Sequence, residues 1–297
     1  MILIDFNGAM IGQIISQKMD KDIDDLRVFI LNELRKYNLK FREHYSTSDD
    51  TRMVVCLEGR SWRKEVFPQY KANRKDVKKK PKLDWENVYS MLNQIVEELR
   101  ENSPYIFLQH ERAEADDCIA AMVKYTQAFG RGNPVMIVSS DSDFQQLQRF
   151  KNVQQYSVLN KKMMVPENGP TTYLIENIMR GQSKDGIPNI HSPDDQFVAE
   201  NSPRQKSVSK DLIAKISGVI QFDLGKLEDF LDDAQIKNFI RNTKMMDLCD
   251  QIPKDIVEDI YKDYETQNSN RTDKGKLMPF LMANRHRLLV ECVQDFF

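Results

Sequence analysis

With 297 residues, 40% of them hydrophobic and 30% charged, the chain is long enough to bury one large core or two smaller ones and polar enough to keep a solvated surface. A net charge of −2 excludes a uniformly basic protein, so a polyanion site would have to come from uneven placement of charge. No apolar run reaches the ~20 residues of a membrane span, and Met1-Ile2-Leu3-Ile4 meets Asp5 without the basic and apolar regions of a targeting signal.

Ile2-Leu3-Ile4 predicts a first strand, and Ile23, Leu26 and Ile30 predict a helix over 22–36. Met53 to Leu57 predicts a second strand. Val88, Leu92, Ile95, Val96 and Leu99 repeat with helical period inside a helix expected over 85–100. Strand 105–108, helix 114–129 and strand 135–138 follow. Strands alternating with helices imply crossover units, hence a central, mostly parallel twisted sheet with helices on both faces. After Gly181 the pattern turns all-helical, over 209–216, 224–231, 234–246, 254–264 and 277–293, with a polar linker expected over 267–276. The expected partition is an α/β domain over 1–180 and a helical region over 181–297. The four cysteines and four histidines are scattered, which excludes a zinc motif or a disulfide framework and suits reduced thiols.

Acidic residues fall just past the C-terminal ends of predicted strands. Asp5 follows the first, Glu58 the second, and Asp141 with Asp143 the strand in "IVSSDSDF". A further group, Glu114, Asp116 and Asp117 in "EAEADD", opens a helix. Each acid alone could be a helix cap or a turn residue. Together they fall at the edge where open parallel sheets bind ligands. Two carboxylates ~4 Å apart repel by roughly 4 kcal/mol at an effective dielectric of 20, so such a cluster calls for cations or proton uptake. No Lys or Arg adjoins Asp5, Glu58 or Asp141 in sequence. An all-oxygen donor set favours Mg²⁺, with Mn²⁺ as a substitute, and two such ions are a common device for phosphodiester cleavage.

The segment 60–82 holds ten lysines and arginines against Glu65 and Asp76, a local charge of +8. A solvated loop would account for the charge alone. Beside an acidic edge it suits a polyanion drawn to metals, with Trp62, Phe67 and Tyr70 as candidates to stack on bases.

These features resemble the 5′ nuclease (flap endonuclease) superfamily, most closely its RNase H type from T-even-like bacteriophages. The resemblance rests on "LIDF" at 3–6, "YKANR" at 70–74, "EADD" at 114–117, "SSDSDF" at 139–144, "NVQQYS" at 152–157 and "GQSKDGIPNI" at 181–190. It implies a first Mg²⁺ held by Asp5, Glu58, Asp116 and Asp141, with Glu114 and Asp117 in or near its shell, and a second held by Asp143 and Asp185. It implies that Lys71 and Arg74 act at the scissile phosphate, beside the aromatic Tyr70. It further implies a DNA-contacting arch over 60–84, to which Arg60, Arg63, Lys64, Lys75, Lys78, Lys79 and Lys80 would contribute. A helix-turn-helix-type element near 181–217 would grip duplex DNA. The expected activity is removal of RNA primers and 5′ flaps in phage DNA replication by a monomer in the cytoplasm of the infected host cell. The expected substrates are flapped DNA or RNA–DNA hybrid, and single-strand-binding protein and the sliding clamp are candidate partners.

Three departures stand out. Glu58 replaces the usual Asp, Gln182 and Gly186 replace the first Asp and the Asn of the Gly-Asp-x-x-Asp-Asn pattern, and the glycine-rich hairpin of many relatives is missing. The loss of charge at Gln182 leaves open a flap- or junction-binding protein with weakened catalysis. A PIN-type RNase acting on structured RNA is the other alternative. The terminal Phe296-Phe297 invites two readings, a clamp-docking tail or aromatics packed back onto the helices.

Overall fold

The computed structural model describes residues 1–45, 53–74, 83–128, 132–200, 202–220, 224–269 and 275–297. Its centre is a six-stranded sheet formed by β1 (Ile2–Asp5), β2 (Met53–Cys56), β3 (Ile106–Leu108), β4 (Val135–Val138), β5 (Val153–Ser157) and β6 (Lys162–Met164), ordered β3-β2-β1-β4-β5-β6. β1 to β5 are parallel, and β6 closes the sheet antiparallel to β5. β1 to β4 are buried throughout, as parallel strands covered on both faces must be. Chain order reverses direction across β1, so the sheet has its switch point between the C-terminal ends of β1 and β4.

Side chains alternate between two cores. Leu3, Val54, Cys56, Ile106 and Ile137 face α5 (Ala115–Gln127), α6 (Pro170–Arg180), α7 (Lys210–Ile220), α8 (Asp233–Met246) and α9 (Lys254–Ser269). Ile2, Ile4, Val55, Phe107 and Val138 face α1 (Phe6–Gln17), α2 (Ile23–Tyr45) and α4 (Trp85–Asn102), joined by residues of α10 (Leu277–Ala283) and α11 (Arg287–Glu291). A one-turn helix α3 (Arg63–Val66) lies in the basic segment. Among the described residues the helical C-terminal region therefore shares both cores of the sheet. Gln267, at the end of α9, accepts from the Phe107 N–H (3.0 Å) and donates to its carbonyl (2.9 Å), occupying the outer edge of β3.

Several expectations change. α1 follows β1 with no break, because Asp5 ends the strand and caps the helix by accepting from Gly8 N–H at 2.9 Å. β5, β6 and α6 were not legible as elements, and the stretch 224–231 contains a 3-10 turn, Leu224–Asp229. The helix expected over 277–293 is split at Asn284–His286, where Arg285 takes φ 58. The expected linker begins as helix, since α9 runs to Ser269, while 270–274 lie outside the described residues. Among the described residues of 181–217 the only α-helix is α7, so the helix pair there is α6 with α7, which pack together across a long loop. α8 ties that loop to α6: Asn242 donates to the carbonyls of Ile178 in α6 (2.7 Å) and Pro188 in the loop (2.8 Å).

Phe296 is buried, with its ring 6.4 Å from that of Tyr105. Asp295 pairs with Arg35 at 2.6 Å, and Asn38 donates to its carbonyl at 2.9 Å. The terminus is thus packed onto α2 and is not a free docking tail. Among the described residues no helix is long and apolar enough to cross a membrane, and all four cysteines are free thiols.

Candidate active site

The sheet carries the expected acids to its C-terminal edge. Asp5 ends β1 and is buried. Its second oxygen accepts from the Ser139 hydroxyl at 2.7 Å, and the same hydroxyl accepts from Asp141 N–H at 3.0 Å. This relay spans the switch point and fixes Asp5 against the loop after β4. Asp141 in turn caps its own 3-10 turn, Ser142–Arg149, by accepting from Asp143 N–H at 3.0 Å. From β5, buried Gln155 donates to the carbonyls of Ser139 (3.0 Å) and Asp141 (2.6 Å). Glu58 lies beyond β2 and accepts from Ala115 N–H at 3.3 Å, which places it at the N-terminus of α5 beside Asp116.

The electrostatics show this convergence. Burial raises the Asp116 carboxyl well above its usual range, and the charges of Asp5, Asp141, Glu58 and Glu114 add to the rise. Burial, and then Asp141, also raise Asp5 against the hydrogen bonds from Gly8 and Ser139. Glu58 is exposed to solvent, yet partial loss of hydration around its carboxyl and the charge of Glu114 push it up to about 7. Among the described residues Asp5, Glu58 and Asp116 have no Lys or Arg ion-pair partner within 4.0 Å. Their charge is therefore left without a paired cationic side chain to offset it. In the present side-chain arrangement, no three acids, histidines or cysteines among the described residues are close enough to hold an ion.

Glu114 and Asp117 do other work. Asp117 is fully buried and receives Arg63 at 2.8 and 3.0 Å, with Glu114 N–H at 3.0 Å. Glu114 accepts from Ser61 (2.8 Å), Tyr70 (2.9 Å) and Arg63 (3.2 Å), and it pairs with Lys71. Burial opposes its ionisation, but Lys71 and Arg63 hold its carboxyl below the usual range. Both acids tie the basic segment to α5, which puts them near the unpaired acids, each already engaged by a cation of that segment.

Other corrections concern the basic segment itself. Arg63, expected on nucleic acid, is 2% exposed and also donates to the Met245 carbonyl at 2.7 Å. Trp62, Phe67 and Tyr70 belong to the core beneath α5, so none presents a face to a base. Arg60, Lys64 and Arg74 are exposed, whereas Lys75, Lys78, Lys79 and Lys80 lie outside the described residues.

The "YKANR" and "GQSKDG" stretches interlock. Lys71 N–H donates to the Asp185 carbonyl (2.7 Å), Asn73 to the Ser183 carbonyl (2.7 Å), and Arg74 to the Lys184 carbonyl (3.1 Å). Gly186 has φ +70, and a Cβ there would stand 2.8 Å from the Gln69 carbonyl oxygen. Glycine in place of the pattern's Asn fits both the left-handed turn and this close approach. Asp143 and Asp185, expected to hold a second ion, instead meet groups of the chain. Gln182 donates to Asp143 at 2.6 Å, Lys184 sits 3.3 Å from Asp143 and 3.2 Å from Asp141, and Arg74 pairs with Asp185. These residues do not fit a second divalent ion. Sequence reasoning overlooked Lys184, Ser139 and Gln155, although each lies within a stretch quoted above. No local signal marked Gln155, because its strand β5 was itself not legible.

Comparison with known proteins agrees with this architecture. The family described as "5'-3' exonuclease, N-terminal resolvase-like domain" matches residues 27–173, and "T4 RNase H, C terminal" matches 169–296. The chain is 26% identical over 302 residues to the ribonuclease H of Enterobacteria phage T4, covering 99% of this chain and 95% of that one. The phage T5 5′-exonuclease with bound divalent zinc superposes with a TM-score of 0.60 at 16% identity, covering 90% of this chain and 99% of the other. A T5 flap endonuclease in a pseudo-enzyme-product complex with DNA and metal ions gives 0.61 at 16%, covering 90% and 98%. The two family matches meet within α6 and together run from residue 27 to residue 296, and the chain therefore belongs to the 5′-3′ exonuclease family, in the branch that carries the T4 RNase H C-terminal region.

Proposed function

We propose that the chain is a divalent-cation-dependent nuclease that cuts 5′ flaps and RNA–DNA hybrids, as in primer removal during phage replication. The observation that carries this reading is the meeting of Asp5, Glu58, Asp116 and Asp141 at the sheet's switch point without an ion pair to the first three. A bound Mg²⁺ or Mn²⁺ would supply water activation and charge neutralisation at a phosphodiester. Asp5 and Asp141 would hold it, positioned by Ser139 and Gln155, with Glu58 and Asp116 from the opposite wall. Arg74, half exposed, is the cation best placed to leave Asp185 for a phosphate oxygen and stabilise charge there. Lys71 is held more tightly, by Glu114. The exposed Arg60 and Lys64 extend the positive surface that would draw in a polyanion. The T5 neighbour in complex with DNA supports a DNA substrate, and the neighbours with metal ions support a divalent cation.

The test uses labelled 5′-flap DNA and an RNA-primed duplex, with Mg²⁺ or with EDTA, and Asp141→Asn as control. Cleavage of both substrates in Mg²⁺ and none in EDTA or the variant is expected. Binding without cleavage would favour the junction-binding alternative, and preference for folded RNA would favour the PIN-type one.

A further inference from the structure

We propose that the chain supplies its own second cation: Lys184, seated between Asp141 and Asp143, stands where a second metal ion would be, and the crevice takes one divalent ion. This rests on the nuclease reading above. The ammonium lies 3.2 and 3.3 Å from the two Asp141 oxygens and 3.3 Å from Asp143 Oδ2. The other oxygen of Asp143 accepts from the Gln182 amide at 2.6 Å. Both oxygens of Asp143 thus face N–H donors from one turn. Asp143 therefore has its charge offset by Lys184 and its other oxygen engaged by an amide, and the Gln182 amide presents hydrogens where an aspartate would present a ligand.

The turn holds this arrangement in place. Gln182 and Ile187 form a two-way backbone bridge at 2.8 and 3.0 Å around the 3-10 turn Ser183–Asp185. The segment 71–74 bonds to all three carbonyls of that turn. The Lys184 backbone is therefore anchored on both sides, and its side chain needs only its own length to reach the acids. Asp185, the remaining acid on this side, is paired with Arg74. Asp143 and Asp185 are thus matched by Lys184 and Arg74 before any metal enters. On the opposite side Asp5, Glu58 and Asp116 have no such partner among the described residues, so divalent charge is wanted there. The same ammonium could also donate to a phosphate oxygen, which a bare metal site would instead coordinate.

The experiment counts Mn²⁺ bound to the full chain without nucleic acid, by calorimetry and by loss of the free-ion electron paramagnetic resonance signal. One equivalent is expected for the wild type and two for Gln182→Asp/Lys184→Ala. Thermal melts in EDTA check that each protein is folded, and Gln182→Asp/Lys184→Met, which keeps most of the stem, guards against loss of packing. Two ions in the wild type would overturn this inference and leave the nuclease reading standing. One ion in folded double variants would also overturn it. No ion in the wild type would sink the cation-dependent reading of function itself.

Discussion

Arg63 grips Asp117 with both terminal nitrogens, at 2.8 and 3.0 Å, in a pair that is 2% and 0% exposed. Arg63→Ala would leave Asp117 charged and dry, at a cost of about 3–5 kcal/mol. Urea unfolding is expected to show that loss. Its exposed neighbour Lys64 is the contrast: Lys64→Ala should change stability by less than about 0.5 kcal/mol while weakening DNA binding and flattening its salt dependence. Equal stability of the two variants would contradict the buried pairing.

Gln155 is the support beneath the loop after β4. Gln155→Leu keeps the volume but strips the carbonyls of Ser139 and Asp141 of their donor, which should cost roughly 1–3 kcal/mol for each left buried and unsatisfied. Cleavage should fall more than duplex binding, because Asp141 and Asp5 share the Ser139 relay. A variant with unchanged melting temperature and rate would show that the loop holds itself.

The acids at the switch point predict an inverted pH response in metal-free protein. Glu58 is raised from an ordinary 4.5 to about 7, so the folded state holds its proton more tightly than the unfolded state between those values. Its contribution to stability is present below about 4.5 and lost as pH rises through about 7. In EDTA the melting temperature should therefore drop over that interval. Glu58→Gln should flatten the drop and melt higher at pH 8, and it should gain less from added Mn²⁺. A wild-type melt independent of pH over this window would refute the account.

The C-terminal aromatics make a stability prediction. Removing Phe296 and Phe297 empties the site beside Tyr105 and cuts the bond that Arg42 makes to the Phe297 carbonyl. Losing one buried phenyl costs about 3–5 kcal/mol. The truncated chain should melt markedly lower, and full stability after truncation would return the tail to the role of a free docking peptide.

What the sequence revealed follows from the physics of each element. Strands buried on both faces are continuous apolar runs, so β1 to β4 could be read directly, and their acids with them. β5 could not, because "VQQYS" reads as polar until the carbonyls that satisfy Gln155 are known. α1 was hidden because one residue, Asp5, serves as strand end, helix cap and site acid at once. The basic segment misled for a different reason. Trp62, Arg63 and Tyr70 are bound by Glu114 and Asp117 or lie beneath them, and nothing local distinguishes an arginine awaiting phosphate from one already paired across the fold. Lys184 was missed the same way, since its partners stand some forty positions earlier.

The side chain of Gln267 has a consequence for how the protein behaves in crowded solution. A bare border strand offers unpaired rungs to any passing polypeptide, which is how native sheets seed fibres and unwanted dimers. By mimicking one residue of a neighbouring strand, this amide leaves β3 a blunt rim, and replacing it with alanine would reopen that rung to intermolecular pairing.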